Sequence, residues 1–132
     1  MDYLYFVPEI IILLMLAIAF LQSGIDKITD WKSNLNWLNG HFAQSPLKGQ
    51  VSIMLGIITV MEIISGGSAL IGSVLLFFSH DITIALFSAI LSALTFILLF
   101  FGQRLAKDYP GAQTIVVYLI PTVFLLYLLL NK

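Results

Sequence analysis

Four long apolar stretches run along this chain, separated by polar breaks of very different length. The first covers residues 7–26, with Pro8 in the first turn, where its missing N–H removes nothing that a helix start would use. No Lys or Arg precedes it and no small-x-small site closes it, so the pattern predicts a retained span rather than a signal peptide. The second stretch is assigned to residues 46–74, with Ser45-Pro46 expected as N-cap and N1, and its apolar character continues as far as Phe77. After the short break Ser79-His80-Asp81, a third span is expected over 82–101. A fourth is expected over 114–130, with Pro121 withdrawing the usual donor from the carbonyl of Val117. Stretches of about 20 apolar residues match the thickness of a bilayer core. The predicted fold is an all-α integral membrane protein, a single domain built as a four-transmembrane-helix bundle.

The longest polar stretch, residues 26–50, has a pattern of its own. Trp31, Leu35, Leu38 and Phe42 recur at i, i+4, i+7 and i+11, while Lys32, Ser33, Asn36 and Asn39 fall mostly on the other side. This predicts a short amphipathic helix over 31–39 between the first and second spans, started by Asp30 and ended by Asn39-Gly40. It lies either in the headgroup layer or as a cap across the bundle end. On the third span, Ala85, Ala89 and Ala93 beside Ser88 and Ser92 are spaced for close helix approach.

Composition sharpens this picture mainly by exclusion. Of 132 residues, 60% are hydrophobic and 10% charged, against about 25% charged in soluble domains, and the mean hydropathy is +1.03. That rules out a soluble fold, and the length leaves no room for a separate soluble domain beside four spans. A net charge of -1 provides no basic surface for nucleic acid. The absence of Cys removes thiolate, disulfide, iron–sulfur and palmitoylation chemistry. Lys27, Lys32, Lys48, Arg104 and Lys107 all fall in the first and third connections, with Lys132 alone on the other side. The positive-inside rule then places those connections in the cytoplasm and both termini outside it.

Against this background Glu62 stands out, because it lies near the middle of the second span with apolar residues on both sides. A charged side chain at a helix centre costs roughly 2.5 to 3.5 kcal/mol on insertion scales, so it needs a partner or a role. Thr59, Ser65, Gly66 and Ala69 share its helical face, which is expected to point into the bundle. Ser92 and Thr95 on the third span, and Tyr118 and Thr122 on the fourth, are expected at similar depth as hydrogen-bond partners. Two readings stand for Glu62: an interhelical hydrogen-bond clamp, or a group that binds a lipophile or relays a proton. Glu9, one turn into the first span, is a secondary candidate expected to serve the headgroup interface. At the other end of that span, Gln22, Ser23, Gly24, Asp26 and Lys27 form a polar cluster in which Asp26 is expected to neutralise Lys27. His41 and His80 have no companions at metal-ligand spacing, and no metal site is expected. No nucleophile, base and orienting group occur together, and no phosphate-binding loop appears, which argues against an enzyme acting alone.

Taken together, Ser23-Gly24-Ile25-Asp26-Lys27 with Ile28-Thr29-Asp30 resembles the Gly-x-x-Lys-x-x-Asp signature of the DoxX family of four-helix membrane proteins. The run from Met61 through Glu62, Ser65, Gly66, Gly67 and Leu70 to Gly72 is similar to that family's Glu-x-x-x-Gly-Gly-x-x-Leu-x-x-Gly segment. The connection from Gly102 to Tyr109 is similar to family forms as well. The resemblance implies a bundle in a bacterial cytoplasmic membrane. Its implied function is an accessory subunit of a redox or envelope complex, working with other membrane or peripheral subunits and taking a quinone-like or lipid-like molecule. By the same resemblance Glu62, Gly66 and Gly67 match the second-span motif, and Gly24 and Lys27 the first. Two alternatives are kept: a small proton-coupled exporter of the small-multidrug-resistance type, and a purely structural partner for other helices.

Overall fold

A computed structural model describes residues 4–132. Five helices follow in chain order: α1 (Val7–Thr29), α2 (Trp31–His41), α3 (Val51–Ser79), α4 (Thr83–Leu105) and α5 (Tyr109–Leu130). No strand occurs among the described residues. α1, α3, α4 and α5 are each long and apolar enough to cross a membrane, as expected of a multi-pass membrane protein.

Local chemistry shifts the boundaries from those the pattern suggested. α3 starts at Val51, not at Pro46. Ser45 closes a turn instead: its hydroxyl donates to the carbonyl of Phe42 and accepts from the N–H of Leu47, and Gly49 follows at φ 86°. α1 continues past Asp26 and Lys27 to Thr29, so those two charged residues belong to its last turn. α2 passes through Gly40 to His41, and the Asp30 side chain makes no capping bond; its carbonyl accepts from the Asn34 amide group at 2.9 Å. α4 reaches Leu105. α5 opens five residues early, because the Asp108 carboxylate accepts the Gly111 N–H at 2.9 Å and Pro110 fits the first turn. Pro121 is absorbed within α5, where Thr122 donates to the Tyr118 carbonyl at 2.8 Å.

The helices pack in the order α1, α3, α4, α5, and a thinner seam joins α5 back to α1. Small residues set how closely they approach. A Cβ built on Gly66 would lie 3.0 Å from the Leu21 backbone nitrogen, and one on Gly72 would lie 2.8 Å from the Ala85 Cα. Of the expected stripe, Ala85 and Ala89 are fully buried and Ala93 is partly buried, and Ala85 lies at the α3–α4 contact. Leu13, Leu16, Phe20, Leu76 and Leu125 fill the core. The outer surface carries exposed Ile11, Ile18, Ile53, Phe78, Phe101, Val117 and Tyr127, while Thr59, Glu62, Ser65, Ser88, Ser92, Thr95 and Thr122 are buried. Apolar residues outside and hydroxyls inside suit a hydrocarbon solvent, in which polar groups must be satisfied within the bundle.

Candidate functional site

Glu62 is drawn into a cluster with α1, not with α4 or α5. Lys27 Nζ lies 2.9 Å from Glu62 Oε1, and the Ser23 hydroxyl donates to Glu62 Oε2 at 2.9 Å. Lys27 also donates to Ser23 Oγ at 2.6 Å. Ser23 and Lys27 stand four residues apart and therefore share one face of α1. Two close contacts make their reach to α3 short. A Cβ on Gly24 would fall 2.5 Å from Ile63 Cδ1, and one on Gly66 would fall 2.8 Å from Leu21 Cγ. The glycines of both motif segments thus lie at the α1–α3 crossing beside the charged cluster.

Glu62 lies within one turn of the middle of α3, displaced toward its start. At about 1.5 Å per residue, Glu62 is roughly 17 Å from the first residue of α3 and roughly 26 Å from its last. It is level with α1 near Gly24, which packs against Ile63. The early turns of α3 stand beside both α2 and the end of α4.

The expected partners are occupied elsewhere. Thr95 donates to the Leu91 carbonyl at 2.7 Å and lies 3.5 Å from the Ser65 hydroxyl. Thr59 donates to the Leu55 carbonyl at 2.6 Å. Tyr118 is partly exposed and stacks on Phe96 with ring centroids 5.7 Å apart. Ser92 is fully buried, and its hydroxyl has no hydrogen-bond partner among the described residues. Asp26 is exposed and does not neutralise Lys27; Glu62 does. Glu9, expected at the headgroup interface, is fully buried and pairs with Lys132 at 2.9 Å at the opposite end of the bundle.

Lys27 has a second neighbour that sequence spacing could not display. It forms part of the wall of a cavity of about 450 Å³ beneath α2, between α3 and α4. The wall is mostly apolar, with Trp37, Leu38 and Leu99 among its members, and its polar groups are Lys27, Asn34 and Gln103. An ammonium carries three N–H donors. Ser23 Oγ accepts one of those on Lys27, and Glu62 Oε1 stands at ion-pair distance, 2.9 Å, which leaves donor capacity on the ammonium. The cavity therefore combines an apolar lining with a charge-compensated donor, a composition typical of sites for lipophilic small molecules. Pairing with Glu62 makes the local net charge zero, which suits a neutral acceptor such as a carbonyl group better than a free anion.

At the far rim, His41 Nε2 lies 2.9 Å from Gln103 Oε1 and 3.5 Å from Asp108 Oδ2. The His41 ring also stacks on Trp37 at 4.6 Å. No group of three or more His, Cys, Asp or Glu suited to a metal is found among the described residues. The cross-helix pair was foreshadowed by the i, i+4 spacing of Ser23 and Lys27 and by small residues beside both charges. The cavity had no comparable signal. No family model, no curated protein and no solved structure matches the chain.

Proposed function

We propose that this chain is a DoxX-like membrane subunit that binds a carbonyl-bearing lipophile, quinone-like or lipid-like, in the cavity beneath α2. It serves a membrane redox or envelope complex as an accessory component and does not act as a catalyst by itself. The observation that carries this reading is Lys27, held by Glu62 and Ser23 in the wall of a 450 Å³ apolar cavity with donor capacity beyond its bond to Ser23. The two segments that resemble the DoxX signatures supply Ser23, Gly24 and Lys27 on one side and Glu62 and Gly66 on the other, and they meet at one helix crossing. That convergence gives the resemblance a shared physical purpose: the glycines bring the helices close enough for the charges to pair.

In this reading the apolar wall takes the ligand's hydrocarbon, and the remaining donor capacity of Lys27 takes its carbonyl oxygen. Glu62 balances the ammonium, so a neutral ligand enters without unpaired charge. The charge bias of the connections supports a cytoplasmic side for α2, and the DoxX resemblance supports a bacterial inner membrane. The exporter alternative gains nothing from Glu9, which is committed to Lys132.

The test is a thermal unfolding titration of the purified protein with ubiquinone and menaquinone analogues and with diacylglycerol. Ligand at about 100 times its Kd stabilises a folded protein by about 2.7 kcal/mol. A clear rise in Tm is expected for the native chain and a much smaller one for Lys27→Met combined with Glu62→Leu, which removes the donor without leaving a lone charge. Equal shifts in both proteins, or none in either, sink the binding reading. A constant co-purifying membrane partner unaffected by these substitutions then favours the structural role.

A further inference from the structure

We propose that α2 is a hinged lid over the cavity and that His41 is its pH-sensitive latch, held to Gln103 and Asp108 at the α4–α5 connection. The regulatory role rests on the ligand-binding reading above, since a lid matters where something enters. The geometry of the latch stands on its own.

Three observations point to a lid. First, α2 has no buried residue, and its packing is sparse and directed to α3 and the end of α1. Secondly, its inner face supplies Asn34, Trp37 and Leu38 to the cavity wall, so outward movement of α2 opens that wall. Thirdly, both flanks of α2 are short non-helical links. Asp30 alone separates it from α1, at φ -132°, and the turn containing Gly49 leads on to α3.

The latch lies at the end of α2 farthest from α1. His41 Nε2 faces two acceptors, the Gln103 amide oxygen at 2.9 Å and Asp108 Oδ2 at 3.5 Å, so this nitrogen carries the proton. Gln103 also lines the cavity, which couples the latch to the contents beneath it. The Phe42 ring packs 3.8 Å from the position a Cβ on Gly102 would take, and helps to seat the end of the lid. Asp108 is the acid facing His41; Trp37 and Phe42 cover its ring, and Arg104 is engaged over the Tyr109 ring at 5.0 Å. Protonating His41 turns a hydrogen bond to a neutral amide, with a carboxylate nearby, into a direct charge pair. The lid therefore tightens when His41 gains a proton at lower pH and loosens when it loses it at higher pH.

The chain contains no Cys, so two engineered cysteines report without background. Spin labels at Asn36→Cys on the outer face of α2 and Gln113→Cys on α5, both exposed, measure lid opening in phosphatidylcholine nanodiscs by pulsed electron spin resonance. With no lipophile added, the open-to-closed ratio is expected to rise about two- to five-fold from pH 5 to pH 8, the range a partly exposed ion pair supports. Asp108→Asn keeps a side-chain oxygen to cap α5 and is expected to flatten that response. His41→Gln, which retains a donor for Gln103, is expected to flatten it too. A distance distribution unchanged with pH in the native chain overturns the proposal, as does a response that survives His41→Gln. Because the measurement needs no ligand, its failure leaves the cavity reading untouched. Conversely, a failed lipophile titration with a normal pH response overturns that reading and not the latch.

Discussion

Two buried Glu–Lys pairs lie at opposite ends of the bundle, and they do different things with the same chemistry. Each places a Glu that is almost or fully buried against a Lys from another helix or its flank, at 2.9 Å in both cases. Around Lys132 two aromatic rings stand on one side, and the rest of the side chain is exposed. Its ammonium lies 4.5 Å from the Tyr5 ring centre and 5.2 Å from that of Phe6, and it also donates to the Tyr5 carbonyl. That pair ties the end of α5 to the start of α1, where the two helices have their thin seam. Around Lys27 the neighbours on one side are a serine and a carboxylate, and on the other a cavity. A buried ion pair is therefore not in itself a sign of a binding site. The distinction lies in whether the cation's remaining donor capacity meets aromatic rings at an exposed end or an apolar cavity.

The largest expected effect separates the pair's structural part from its binding part. Glu62→Leu leaves Lys27 without its counter-charge beside an apolar wall, and a stability loss of about 3 to 5 kcal/mol is expected in detergent unfolding titrations. Adding Lys27→Met should restore most of that loss while leaving lipophile stabilisation absent. If the double variant still responds to lipophile, the difference drawn between the two ends is wrong. Lys132→Met at the other end should cost about 3 kcal/mol by leaving buried Glu9 without its partner. Lipophile stabilisation should survive this change, and its disappearance would show that the two ends are coupled.

Smaller effects test the helix crossing that brings Lys27 to Glu62. Gly66→Ala puts a methyl against Leu21 backbone and is expected to cost about 2 kcal/mol. Gly24→Ala meets mainly the flexible tip of Ile63 and should cost less, a ranking readable from the same unfolding series. The smallest effect lies in the α3–α4 connection. The Thr83 backbone N–H donates to Asp81 at 3.0 Å and holds its carboxyl below the ordinary value of 3.8. With a lowered folded value, this contribution is present above the unfolded value and disappears as pH falls through the folded one. Asp81→Ala should therefore lower Tm slightly at pH 7 and leave it unchanged in strong acid.

Legibility in the sequence follows the range of the forces involved. The four spans and the amphipathic helix could be read because burial periodicity is local, and the inward face of Trp31, Leu35, Leu38 and Phe42 is the less exposed one in the fold. Boundaries were harder to read where side chains compete for backbone groups. Ser45-Pro46 has the composition of a helix start, yet Ser45 closes a turn back onto Phe42, whereas Asp108 does cap a helix. The partner of Glu62 was misjudged because depth along α3 does not say which neighbouring helix its carboxylate meets; Thr95 is level with Ser65, but Glu62 turns to α1. Nothing in the residue pattern signalled His41 against Asp108, since that contact joins segments 67 positions apart in the chain.

By itself the sequence determined four helices long and apolar enough to cross a membrane, the chemistry excluded by the absence of Cys, and a mid-helix acid, Glu62, that needed an explanation. Those properties follow from composition and from periodicity over a few helical turns. Only the tertiary structure decided that Lys27 supplies the counter-charge, that Glu9 belongs to Lys132, and that a cavity opens beside one pair and not the other. The reason is geometric. A one-residue change in where a helix begins moves every later side chain by about 1.5 Å along the axis and about 100° around it, which decides which groups meet.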